Sequence, residues 1–254
     1  MPCALRKPYG SFRAPLNPLP PASFVWERIA MDIVGPLTES KLGNRYILVL
    51  ADYASRFAFT IPMEDQRAKS VAEHLVVNIL TKYGSLHTVL TNQGTNFLSN
   101  LLTEMYKLFQ VKHIKTTSYH PQTDGLVERF NRTLCDMLAC YVSDHPEDWD
   151  SYLPFVTLAY NTAEQSTLQC SPFYLFFGRH PRTPLDASDT SLDLDDSTND
   201  WHKKWARALE LTELRLAKAQ EKQKSYYDID TKKVAFSIGD KILLRNHQPV
   251  PGKF

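Results

Sequence analysis

The segment Ile29–Val34 reads IAMDIV and places a single carboxylate, Asp32, inside an otherwise apolar strand. Two more β-rich segments follow it, YILVLAD at Tyr46–Asp52 and FAFTIPM at Phe57–Met63, with a short polar turn between them. Apolar runs of this length that flank a polar turn predict an antiparallel hairpin. The three segments together predict the first half of a β-sheet.

Helices and strands alternate after this hairpin. Apolar residues recur at helical spacing, and the pattern ends before Gly84. The predicted order is a helix at Ala68–Tyr83, a strand at His87–Thr91, a helix at 100–109, a strand at Val111–Thr116, a helix from Thr123 and a helix at Asp148–Tyr160. Antiparallel strands followed by alternating helices and strands predict an α/β fold, a mixed sheet with helices packed on it.

Composition divides the chain into five parts. We predict a Pro-rich tail at 1–23, a compact domain at 24–185, an acidic linker at 186–200, a helical connector at 201–233 and the start of a β module at 234–254. The connector lacks Gly and Pro, and its apolar residues keep helical spacing through about Tyr227.

The net charge of +1, from 29 basic and 28 acidic residues, conceals an uneven distribution. The predicted linker contains six aspartates and no Lys or Arg, so the rest of the chain has 29 basic against 22 acidic residues, or +7. Because binding depends on where charge lies, the neutral total does not exclude a nucleic-acid partner. The N-terminus lacks a signal peptide and no apolar run is long enough for a membrane span, so we expect an intracellular protein without a membrane partner.

Three polar positions are candidate metal ligands: Asp32 in the first strand, Asn92 after the fourth and Glu128 early in the helix from Thr123. Taken singly, each has an ordinary alternative: an edge-facing aspartate, a turn asparagine and a helix-first-turn glutamate. Taken together, oxygen ligands from two strands and one helix can hold Mg²⁺ for phosphoryl transfer. The chain has no HExxH, P-loop, GxGxxG or GxSxG motif that would indicate another chemistry.

Several longer strings resemble the integrases of gypsy-class long-terminal-repeat (LTR) retrotransposons and of retroviruses. They are WERIAMDIVGP at 26–36, YILVLADYASRF at 46–57, NQGTNF at 92–97, YHPQTDGLVERFNR at 119–132 and the segment Ser171–Gly178. The resemblance implies a ribonuclease-H-like fold and a catalytic triad of Asp, Asp and Glu. Thirty-five residues separate Asn92 from Glu128, which is the family's own interval, so Asp32, Asn92 and Glu128 occupy the triad positions.

The departure from the family pattern is at Asn92, where the family has Asp. A neutral amide removes one of three negative charges and cannot bridge two metal ions, so we expect weakened binding of Mg²⁺ or Mn²⁺ and impaired catalysis. Asp124 belongs to the loop before Glu128 and is not a substitute. Cys3 resembles the last ligand of the family's zinc module, but the other three ligands are absent, so no zinc is expected. The resemblance also implies an SH3-like C-terminal module, cut short after Phe254.

The family holds DNA across the face that bears the carboxylates. The candidate DNA contacts are Lys112, Lys115, His120, Gln122, Arg129 and Arg132. For each basic residue the alternative is an ordinary solvated surface, because phosphate contacts carry no sequence pattern. The resemblance further implies a homo-oligomer on paired DNA ends and a nuclear location.

Three functions follow from these observations. The first is an integrase-type polynucleotidyl transferase, intact or residual. The second is a non-catalytic DNA-binding or assembly protein derived from a transposable element, which Asn92 favours for the chemistry. The third is a nuclease of the same fold, and the loss of the aspartate counts against it equally.

Overall fold

The computed structural model describes residues 15–16, 18–116, 125–142, 144–181, 198–229, 231 and 239. Its centre is a five-stranded sheet with the strand order β3-β2-β1-β4-β5. The strands are β1 (Arg28–Val34), β2 (Tyr46–Asp52), β3 (Ala58–Met63), β4 (Thr88–Thr91) and β5 (Lys112–Lys115). β1, β2 and β3 pair antiparallel, and β4 and β5 join β1 in parallel, so the predicted mixed sheet is confirmed.

Helices cover both faces of the sheet. They are α1 (Ala68–Leu75), α2 (Thr81–Tyr83), α3 (Asn100–Leu108), α4 (Gly125–Tyr141), α5 (Trp149–Thr162), α6 (Pro172–Phe177) and α7 (Thr198–Asp228). A π-helical stretch, Val76–Leu80, joins α1 to α2, and a 3₁₀ turn, Pro146–Asp148, precedes α5. The predicted helix at 68–83 is therefore one continuous helical segment with a π-helical interior.

Successive side chains of β1 lie on opposite faces of the sheet. Ile29 and Met31 belong to a core cluster with α1 and α3, whereas Ala30 belongs to the cluster with α4 and α5. Because side chains alternate along a strand, Asp32 shares the face of Ala30. The carboxylate therefore lies on the α4 side of the sheet.

The turn between β2 and β3 is fixed by a buried carboxylate. Asp52 accepts hydrogen bonds from the Trp26 amide (3.0 Å) and from both the amide (2.7 Å) and the hydroxyl (2.6 Å) of Ser55. Burial raises the pKa of Asp52, and these donors oppose the shift. The turn ends at Arg56 with a φ of 64°, which few non-glycine residues adopt.

The chain divides into two compact units, one formed by Pro18–Gln220 and the other by Met1–Asn17 with Glu221–Phe254. In the first unit, α7 packs through two indoles: Trp201 donates to the Gly178 carbonyl (2.5 Å) and Trp205 to the Leu175 carbonyl (3.0 Å). α7 begins three residues earlier than predicted, inside the predicted acidic linker.

In the second unit, the Leu16 amide donates to Asp228 (2.8 Å), which also pairs with Lys224 (3.0 Å). The predicted β module lies almost wholly outside the described residues, as does most of the predicted tail. Within the part of the chain that the structure describes, no helix combines the length and apolarity that a membrane crossing requires.

Candidate active site

Asp32 is the centre of the candidate site. It lies in β1, opposite Val49 of β2, and its side chain is half-buried on the α4 face. An apolar stripe that includes Val127, Phe130 and Leu134 packs α4 against this face. That packing brings the first turns of α4 next to the Asp32 carboxylate.

Both oxygens of Asp32 accept hydrogen bonds from side-chain amides. Asn92 Nδ2 donates to Asp32 Oδ1 at 3.0 Å, and Asn131 Nδ2 donates to Asp32 Oδ2 at 2.9 Å. One partner comes from the loop after β4 and the other from α4. Burying a carboxylate is costly unless its oxygens find donors, and here two amides provide them.

A second hydrogen bond, accepted by the amide oxygen of Asn92, fixes the orientation of its side chain. Its Oδ1 accepts a hydrogen bond from the Gly94 amide at 2.8 Å, so the NH₂ group is the part that faces Asp32. A Cβ at residue 94 would lie 2.9 Å from Asn92 Oδ1, so the close approach requires glycine. The amide oxygen, the only atom of this side chain able to ligate a cation, is already engaged by the loop.

Burial is the main reason why the pKa of Asp32 is raised. The backbone amide of Ile33 and the side-chain amide of Asn131 oppose that rise by hydrogen bonding, and the negative charge of Glu128 adds to it. Glu128 therefore acts electrostatically on Asp32, as two carboxylates in one site do.

Glu128 and Asn131 project from neighbouring turns of α4. Glu128 is exposed in the first turn, and Asn131, three residues later, is half-buried. The Oδ1 atom of Asn131 is buried without a hydrogen-bond partner. We did not expect a site role for Asn131 from the sequence, although its i+3 spacing from Glu128 places both residues on one helix face.

The donor set fits a single divalent cation better than a pair. Asp32 and Glu128 contribute carboxylate oxygens, the type of ligand that Mg²⁺ prefers. No group of three His, Cys, Asp or Glu residues suited to a metal occurs among the residues described. Asn92 contributes no charge, and the Oδ1 atom of Asn131, whose amide nitrogen donates to Asp32, has no hydrogen-bond partner among the described residues.

The predicted DNA contacts occupy different parts of the domain. Lys112 and Lys115 are exposed on the edge strand β5, but their odd spacing directs them to opposite faces of the sheet. Arg129 and Arg132 are exposed one turn apart on α4, beside Glu128. His120 and Gln122, with the loop that includes Asp124, lie outside the described residues.

The fold is that of a ribonuclease-H-like core. It has the strand order β3-β2-β1-β4-β5 with mixed pairing, and its polar candidate site lies across β1, the loop after β4 and α4. Among solved structures, the chain resembles a subunit in the intasome of simian T-cell lymphotropic virus, captured with a PP2A regulatory subunit. The TM-score is 0.59 and the identity 21%, over 71% of this chain and 64% of that one. No family model matches the chain.

Curated relatives of the sequence are retrotransposon polyproteins. The chain is 32% identical over 230 residues to the retrovirus-related Pol polyprotein from transposon 412 of Drosophila melanogaster, which covers 87% of this chain. It is 27% identical over 242 residues to the transposon Tf2-3 polyprotein of Schizosaccharomyces pombe, which covers 94% of this chain. In both cases the chain spans 18% of the polyprotein's length. The chain thus belongs with the LTR-retrotransposon integrases as a catalytic core domain.

Proposed function

We propose that this chain is an integrase-like core that binds DNA and is built for metal-dependent polynucleotidyl transfer, with its chemistry impaired by Asn92. The observation that supports the proposal is the hydrogen bond from Asn92 Nδ2 to Asp32 Oδ1. At this position a second carboxylate would repel Asp32 until a cation bound between them. The Asn92 amide instead donates a hydrogen bond to Asp32 and so stabilises its carboxylate without a cation.

The impairment has two physical causes. Asn92 lowers the negative charge available to a cation, and its oxygen is turned to the Gly94 amide. A divalent ion held by Asp32 and Glu128 would supply an activated hydroxyl nucleophile and a stabilised leaving oxygen. The chain's own residues retain positioning roles: Asn131 orients Asp32 by its 2.9 Å hydrogen bond, and α4 holds Glu128 beside it.

DNA binding is supported by the basic residues beside the site. Arg129 and Arg132 follow Glu128 on α4 by one and four residues, and no described carboxylate forms an ion pair with either one. Guanidinium groups bind phosphates without reading sequence. The solved relative is part of an intasome, so assembly of this chain as a multimer on DNA in the nucleus is included in the proposal.

A non-catalytic role is the second candidate. It is favoured by the same contacts, because the side-chain amides of Asn92 and Asn131 donate to both oxygens of Asp32. In this alternative the chain keeps the integrase fold as a DNA-binding or assembly module and performs no chemistry.

Fluorescence anisotropy with a labelled DNA duplex tests DNA binding. We expect the native protein to bind in EDTA as tightly as in Mg²⁺, with affinity that falls as salt rises. Arg132→Gln should reduce the salt dependence, and Arg67→Gln, at an exposed arginine paired with Asp65, is the matched control. Absence of binding at low salt, or binding that needs Mg²⁺, would contradict the proposal.

A further inference from the structure

A cavity of about 300 Å³ lies between the β2–β3 turn, the first turns of α4 and the end of α5. Its polar lining comes from Arg56, Arg129, Thr133, Tyr160, Gln165 and Thr167, and its other described lining residues are apolar. It lies on the same helix as the candidate active site, but neither Asp32 nor Glu128 lines it.

Two positive charges face this cavity, and the nearest negative charge acting on Arg56, that of Asp52, lies outside the cavity lining. Among its described lining residues there is no carboxylate, and no described ion pair involves Arg56 or Arg129. Burial lowers the pKa of Arg56, and the charge of Arg129 lowers it further. The two guanidinium groups therefore repel each other across space that an anion could occupy.

The remaining polar groups suit an anion with several oxygens. Burial raises the pKa of Tyr160, and the charges of Arg56 and Arg129 oppose the rise, so the phenol lies within their electrostatic reach. The ring of Tyr160 is held edge-on against Phe130 at 4.5 Å between centroids. Thr133 donates its hydroxyl proton to the Arg129 carbonyl and is therefore not counted among the donors to an anion.

The cavity wall is preorganised. Arg56 lies at the end of the turn that the Asp52 carboxylate fixes. Asn161 of α5 bonds both the amide and the carbonyl of Ala58, at 2.8 Å each, and so joins β3 to the helix that carries Tyr160. A rigid wall loses little entropy when it binds a ligand.

We propose that this cavity binds one phosphate of a DNA strand that lies across the candidate active site. Paired guanidinium groups with a phenol and an amide are a donor set that matches phosphate oxygens and ignores base identity. Glu128 of the candidate active site and Arg129 and Thr133 of the cavity lie within about 8 Å along α4, so one DNA strand is long enough to contact both. The inference rests on the proposed DNA binding.

Inorganic phosphate tests the cavity without DNA. Thermal unfolding of the full chain should show a higher Tm in phosphate than in chloride at equal ionic strength, because a ligand that binds the native state stabilises it. Arg129→Gln and Arg56→Gln should lose this difference, whereas Arg67→Gln should keep it. Without phosphate, Arg129→Gln should melt no lower than the native protein, because it removes a repulsion.

Two results would overturn the cavity site: a phosphate response that survives in Arg129→Gln, or a drop in the Tm of Arg129→Gln without phosphate, which would indicate a structural role. Arg129→Lys, which keeps the charge, should restore part of the response. Because Arg56 is half-buried, Arg56→Gln can lose packing, and a destabilised Arg56→Gln would leave Arg129→Gln as the deciding variant.

A DNA-binding measurement is the second test of the cavity site. Arg129→Gln should weaken duplex binding about tenfold at low salt and reduce the slope of log affinity against log salt by about 0.9, the value for one lost phosphate contact. An unchanged slope in Arg129→Gln beside intact native binding overturns the cavity proposal alone. Absence of DNA binding by the native protein overturns the proposed function itself.

Discussion

Asn92→Asp restores a carboxylate at the position where the chain departs from the integrase pattern. The change keeps the acceptor for the Gly94 amide, because aspartate retains the oxygen that accepts at 2.8 Å. It removes the donor that now lies 3.0 Å from Asp32 Oδ1 and replaces it with a negatively charged oxygen. Attraction between residues 92 and 32 becomes repulsion.

The size of this change follows from the distance. Two unit charges 3.0 Å apart repel by about 1 kcal/mol in water and by about 5 kcal/mol at an effective dielectric of about 20. Because Asp32 is half-buried, we expect Asn92→Asp to unfold more easily in EDTA by about 2–4 kcal/mol, which includes the lost hydrogen bond. Mg²⁺ should recover most of that loss, since a cation between the two carboxylates turns repulsion into binding.

Chemical denaturation in EDTA and in millimolar Mg²⁺ measures both effects. The native protein should gain little from Mg²⁺, whereas Asn92→Asp should gain several-fold more. The matched control is Asn100→Asp, which adds the same charge at an exposed position in α3. If Asn92→Asp were as stable as the native protein in EDTA, or if Mg²⁺ stabilised both equally, the account of Asn92 as a substitute for metal would fail.

Two more perturbations test the fold around the site. Gly178→Ala should lower the free energy of unfolding by about 2–4 kcal/mol and shift Trp fluorescence, because residue 178 has φ 71° and a Cβ there would lie 2.5 Å from the Trp201 ring. The control is Gly43→Ala, at φ 84° with open space, which should lower it by only about 1 kcal/mol. Burial, and then the charge of Lys115, lowers the pKa of His113, so stability should fall as the pH drops below 6.5, where the unfolded chain takes up the proton first. His113→Gln should flatten that pH dependence in denaturation curves, and an unchanged acid slope would show that another group causes it.

The sheet could be predicted because its strands carry strong local patterns. The hairpin of β2 and β3, the apolar strand β1 and the apolar stripe of α4 are all visible within short windows, and the structure places each where the pattern predicts. The six-residue helix α6 (Pro172–Phe177) was not predicted, because its run of aromatic residues has no polar face from which to read a helical period.

The candidate site was predictable in its members but not in its bonding. Asp32, Asn92 and Glu128 were chosen from their places in the predicted strands and helix and from the integrase-like strings, and their roles as metal ligands stay a prediction. That Asn92 donates to Asp32 depends on a residue sixty positions away, which no local pattern encodes, although the Gly94 amide that orients Asn92 belongs to a local turn. Arg56 was missed because its importance comes from Arg129, on a distant helix that packs on the same face of the sheet.

The most direct test of the central claim is a strand-transfer assay in Mg²⁺ that compares the native chain with Asn92→Asp and Glu128→Gln. Our account predicts that the native protein yields no more product than Glu128→Gln, and that Asn92→Asp yields more than both. Product from the native chain well above the Glu128→Gln background would contradict the account, since it would show that Asn92 supports the chemistry.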